Sequence, residues 1–193
     1  MKMKGVIQTM IIENVFIPDE EKNILRKLIG KRILSISALP KSNFTTDIDD
    51  AVWVLYIHCE DLNIEIDRED IVAKFHGSFE DGGLFKISEP SHIEKCDSTK
   101  TINRVVKNVS IIVDSFEFEK DRYKITYPKA IIIHFDDCRL LIEKIWIFSM
   151  EGFLVRLEPL DAENFGLYDE MEFWYVPDVD DEIPKFVQTI EQL

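Results

Sequence analysis

Short apolar runs that alternate with polar residues dominate this chain, and they predict strands. Val52–Cys59 (VWVLYIHC), Leu62–Asp67 (LNIEID), Asn108–Val113 (NVSIIV), Tyr123–Tyr127 (YKITY), Ala130–Phe135 (AIIIHF), Leu140–Phe148 (LLIEKIWIF) and Phe153–Glu158 (FLVRLE) are β-branched, aromatic or alternating. At the start, Val6, Gln8 and Met10 alternate with Ile7, Thr9 and Ile11, which fits an opening strand. One window has the helical period instead. Asp19–Ile29 puts Ile24, Leu25, Leu28 and Ile29 on one face, with Pro18 and three acidic residues at its start and Gly30 as its stop. A short helix is expected from Ser98 to near Val105. Another is expected at the C-terminus, with Pro184 in its first turn ahead of Phe186 and Ile190. Hairpins are expected around Gly82-Gly83, near Gly152 and within Asp114–Tyr127, and a polar loop over Ser37–Asp50.

Two of these runs resemble each other. Ile57–Leu62 reads IHCEDL and Ile133–Cys138 reads IHFDDC. An offset of 76 positions carries Ile57, His58, Glu60, Asp61, Ile64 and Ile66 onto Ile133, His134, Asp136, Asp137, Leu140 and Ile142. The same offset aligns Ile29, Lys31, Ile33 and Ile36 with Val105, Lys107, Val109 and Ile112. This predicts two diverged copies, about 24–90 and 100–166, each too small for an ample core alone. The expected fold is α+β and β-rich. Two repeats of antiparallel hairpins or meander pack as one pseudo-twofold body, sandwich or barrel-like, in a single unit spanning 1–193.

If Glu60-Asp61 and Asp136-Asp137 are two-residue loops, Ile57 pairs with Ile64 and Ile133 with Leu140, so each hairpin has one apolar face. The histidines then fall on the other face, His58 opposite Asn63 and His134 opposite Arg139. An arginine facing a histidine disfavours a cation site, and the carboxylates suit a turn better than a metal centre. The expected metal set is therefore none.

Charge narrows the classes of partner. The chain carries a net charge of −14, with 46% hydrophobic residues in 193. It repels nucleic-acid backbones and anionic membrane surfaces, so neither is expected as a partner. Lys2 and Lys4 before apolar residues resemble a leader, but Gln8, Thr9 and Glu13 interrupt the run. Three unspaced cysteines, Cys59, Cys96 and Cys138, do not form a disulfide framework, which points to a cytoplasmic protein. His58-x-Glu60 and His92-x-Glu94 lack the cysteine half of a deaminase signature, and no phosphate loop, dinucleotide fingerprint or nucleophile elbow occurs. No cofactor is implied, and binding is favoured over catalysis.

The region Glu158–Glu182 holds ten acidic residues and no Lys or Arg, with Phe165, Tyr168, Phe173, Trp174 and Tyr175 among them. Aromatic anchors ringed by like charge suit a basic partner. The leading expectation is a non-catalytic protein-binding protein, an acidic inhibitor or immunity-type protein that neutralises a basic protein. Tyr168, Phe173, Trp174, Asp178, Asp180 and Asp181 are its candidate contacts. The alternative is a small-ligand binder or enzyme with a site between the two halves, using His58, His134, Tyr56 and Arg139. A third expectation is a homodimer that covers strand edges.

Overall fold

The computed structural model describes residues 10–45, 48–75, 78–148, 152–160 and 182–193. Among them lie one α-helix, α1 (Asp19–Arg26), and eleven strands. The strands are β1 (Ile11–Asn14), β2 (Arg32–Leu39), β3 (Val54–Cys59), β4 (Asn63–Phe75), β5 (Ser78–Ser88), β6 (Ser98–Val105), β7 (Asn108–Phe118), β8 (Tyr123–His134), β9 (Cys138–Lys144), β10 (Phe153–Pro159) and β11 (Lys185–Gln192). The protein is β-rich, with two sheets. One runs β5-β4-β3-β2-β6; the other runs β10-β9-β8-β7-β11, with β1 added in parallel to the far end of β8. Every other ladder is antiparallel.

One apolar core joins the sheets. Ile36, Leu55, Ile57, Ile64, Ile66 and Ile87 from one sheet meet Val109, Ile111, Ile131, Ile133, Leu140 and Ile142 from the other, all buried. These positions alternate along their strands, so each sheet presents one face to the other. Leu25 and Leu28, from α1 and the turn after it, close one end of this core. Each such aliphatic side chain contributes about 1.5–3 kcal/mol on burial. A second cluster lies on the opposite face of sheet two, at the far end of the β7–β8 hairpin. Phe116, Phe118, Tyr123, Ile125 and Tyr127 pack there with Ile147.

The hairpin pairings match the alternation. Ile57 pairs with Ile64 and Ile133 with Leu140. Cys59 N–H donates to the Leu62 carbonyl at 2.8 Å and Phe135 N–H to the Cys138 carbonyl at 2.9 Å. Both carboxylate pairs are thus two-residue loops. Basic side chains compensate them: Arg104 grips Asp137 with two bonds of 2.9 Å, and Lys107 reaches Asp136 at 3.2 Å. The other aligned block slips. Ile36 lies across from Ile57, but Val109, not Ile112, lies across from Ile133. The bulge in β2 between Ile33 and Ser35 accounts for one residue of this three-residue slip.

Three further expectations need correction. Ser98–Val105 is β6, not a helix: its backbone pairs with β2, and its side chains alternate about the buried Ile102. The C-terminal segment is β11, not a helix, because β7 offers it a complete ladder from Glu117 to Ser110. Gly82-Gly83 is not a turn but lies within β5, facing Ile71 and Asp70. A Cβ on Gly82 would stand 2.6 Å from the Ile147 carbonyl oxygen, and Gly83 N–H donates to that oxygen at 2.9 Å. Glycine is there for close approach of two backbones. Gly152 does turn the chain, at φ +76°, into β10. The Asp114–Tyr127 hairpin forms as β7 and β8. The described opening strand starts at Ile11; residues 1–9 lie outside the described set.

Candidate functional site

His58 and His134 occupy matching places in their sheets. Each sits between two residues of the shared core, so each points away from it. His58 Nε2 lies 2.7 Å from Ser37 Oγ, and His134 Nε2 lies 2.8 Å from Ser110 Oγ. His58 Nδ1 also lies 3.1 Å from Asn63 Oδ1. Across the strand His134 faces Arg139. Partial burial, then the arginine's charge, holds His134 below the ordinary histidine value. Tyr56 stacks beside His58 at 6.4 Å, and burial beside the Glu65 carboxylate pushes its hydroxyl up to about 12.

The fold brings Tyr56 to His58 and Arg139 to His134, but separates the two pairs onto the outer faces of opposing sheets. The histidines do not share a cleft. A serine paired with a histidine invites a nucleophile reading. Ser37 and Ser110 are both buried, so neither hydroxyl is presented to a substrate. The two serine–histidine bonds tie neighbouring strands together.

A larger polar assembly lies on the same outer face as His134, and sequence reasoning missed it. Glu143 is fully buried and accepts from Arg156 at 2.8 Å, with Lys129 Nζ at 3.5 Å. Arg156 continues to Glu158 at 2.6 Å, and Glu158 accepts from Arg139 at 3.0 Å. Lys129 also donates to the carbonyls of Lys144 and Ile145. Asp114, buried beside it, accepts from Gln188 Nε2 at 2.9 Å. Burial drives the Asp114 carboxyl up to about 6 despite that bond and the nearby Lys129 charge. The available signal was Glu143-Lys144 set inside an otherwise apolar run, which marks charges that must be compensated internally. The members bond to one another, so the assembly fastens β8, β9 and β10 together.

The clearest outward-facing feature is the far half of the β4–β5 hairpin. Alternation and register put Asp70, Val72, Phe79 and Asp81 on one face. Trp53 stands beside it, lining a shallow depression of about 290 Å³ with Asp67, Arg68 and Asp70. Trp53 is 59%, Val72 64% and Phe79 75% exposed, well beyond what scattered surface apolar residues need. Asp70 and Asp81 are exposed between them, and Arg68 is ion-paired to Asp70. This is an exposed aromatic face of mixed charge, with Arg68 set against Asp70. Its sequence signal was the alternating acidic run Asp67–Asp70 followed by Phe79-Glu80-Asp81. The proposed contacts Tyr168, Phe173, Trp174, Asp178, Asp180 and Asp181 lie outside the described residues.

Among the described residues no group of His, Cys, Asp and Glu is arranged to hold a metal ion. No described helix is long and apolar enough to cross a membrane. The chain matches no family model, no curated protein and no solved structure.

Proposed function

We propose that this chain is a non-catalytic protein-binding protein that neutralises a basic partner, as an acidic inhibitor or immunity-type protein does. The observation that carries the reading is the exposed trio Trp53, Val72 and Phe79 set among Asp70 and Asp81. Desolvated aromatic anchors supply most of the affinity in protein interfaces, and surrounding carboxylates steer a cationic partner and reject anionic ones. The net charge of −14 extends that field over the whole molecule. The segment containing Tyr168, Phe173, Trp174, Asp178, Asp180 and Asp181 is proposed as a second part of the same recognition surface. A ligand site shared by His58 and His134 is not favoured, since they face away from each other across the core.

We further infer that the two sheets descend from one duplicated unit. Each is a four-strand meander, β2 to β5 or β7 to β10, with a fifth strand added beside its first. Each places a histidine against a serine on that first strand.

The test is salt-graded capture from native lysate with the wild type and two variants in parallel. One variant is Trp53→Ala with Phe79→Ala; the other converts Asp178, Asp180 and Asp181 to Asn. A basic protein held at low salt, released at high salt and lost from the first variant supports the reading. Retention unchanged in both variants rejects it.

A further inference from the structure

We propose that two copies of this chain associate through β11, which pairs antiparallel with the β11 of the second copy about a two-fold axis at Gln188. The strand ends the six-stranded sheet, and among the described residues no strand lies on its outer side. It is exposed along nearly its whole length, including Phe186, Val187 and Ile190. An open edge strand of eight residues with exposed apolar side chains is a template for another strand.

Among the described residues the other long edges are interrupted. On β5, Gly83 N–H is taken by the Ile147 carbonyl and Ile87 N–H by the Glu21 carboxylate at 2.8 Å. On β10, Phe153 exchanges two bonds of 2.9 Å with Val52. The β6 edge is broken by a register shift and by Asn103 at φ +50°. Among the described residues β11 carries no such interruption, and its two charged residues, Lys185 and Glu191, stand near its two ends.

The backbone then selects the register. Leu193 N–H donates to the Val109 carbonyl at 3.0 Å, one step beyond the last paired residues of β11 and β7. Bonding alternates along an antiparallel ladder. Lys185, Val187, Thr189 and Glu191 therefore turn their backbone groups to β7, while Phe186, Gln188, Ile190 and Gln192 turn theirs to the open edge. Only registers that bond these even-numbered residues to each other can form. Centring the axis on Gln188 satisfies this, and it sets Lys185 opposite the second copy's Glu191, Phe186 opposite Ile190, and Val187 opposite Thr189. Shifting the axis one residue, to Val187 or Thr189, removes the charge match and leaves Phe186 facing a glutamine. Opposite charges and apolar pairs across strands each favour pairing. The strand is thus complementary to itself in one register. The product is a continuous sheet across two isologous subunits.

The experiment is light scattering on the full chain, from low micromolar to several hundred micromolar, with wild type, Ile190→Lys, Lys185→Glu, Glu191→Lys and the double swap Lys185→Glu with Glu191→Lys. Wild type should pass from monomer to dimer. Ile190→Lys changes an exposed side chain and should weaken association about tenfold or more. Each single charge change should weaken it, and the double swap should recover it. Recovery separates pairing in this register from any loss of the contacts that Lys185 makes with Glu119 and Glu191 with Lys22, which the swap does not restore. A wild type that is monomeric throughout overturns the proposal. So does a dimer indifferent to Ile190→Lys, or a double swap no better than the singles.

Discussion

Asp114 is a carboxyl that the fold holds at a cost, and its removal should stabilise the protein. It is buried on β7 with one hydrogen bond from Gln188, between the Lys129 ammonium and the Glu143 carboxylate. Loss of hydration outweighs the bond and the lysine, so its value rises from 3.8 to about 6. The sign follows from linkage. Between those two values the folded chain keeps a proton that the unfolded chain has released, so the group supports folding at low pH and loses that support as pH rises through about 6. The shift corresponds to about 3 kcal/mol at pH 8 and about 1 kcal/mol at pH 4.5. Asp114→Asn keeps an acceptor for Gln188 and removes the charge. Its new amide donor costs something, but that cost does not vary with pH. Urea unfolding of both proteins at pH 4.5 and pH 8 should show the variant gaining about 2 kcal/mol more at the higher pH. A difference between variant and wild type that is the same at both values refutes the reasoning.

Glu143→Gln should destabilise the fold by about 3 kcal/mol, because it removes the one buried carboxylate that Arg156 and Lys129 share while leaving them their bonds to Glu158 and to the Lys144 and Ile145 carbonyls; a loss under about 1 kcal/mol in denaturant unfolding would mean those remaining partners suffice. Gly82→Ala should cost about 1–3 kcal/mol, since its methyl meets a backbone oxygen at 2.6 Å, while Lys86→Ala on the same strand, an exposed side chain, should cost little. Thiol titration of the native protein should find Cys96 reacting first, with Cys59 and Cys138 slow until denaturant is added; burial pushes both up to about 11. Equal rates for all three would contradict the burial of the two hairpin cysteines.

The alternation of apolar and polar residues was enough to place most strands, the helix and the pairing of both IH hairpins. That information is local: a strand half-buried on one face must write its periodicity into its own residues. Segments with little burial of their own were misread. Ser98–Val105 and Lys185–Gln192 carry few buried side chains, so their state was decided by which open edge, β2 or β7, supplied backbone partners. The glycines of β5 were read as a turn because nothing near them in sequence shows that the Ile147 carbonyl accepts from Gly83 N–H at 2.9 Å and lies where a Cβ on Gly82 would stand. The candidate sites divide in the same way. That His58 faces Asn63 and His134 faces Arg139 follows from hairpin parity alone. That the two histidines lie on opposite sides of the shared core, that Glu143, Arg156 and Lys129 form a buried ionic chain, and that no described strand covers the outer side of β11 all depend on how the sheets stack and which strand ends the row. Those are contacts between residues far apart in the chain, and only the tertiary structure decides them.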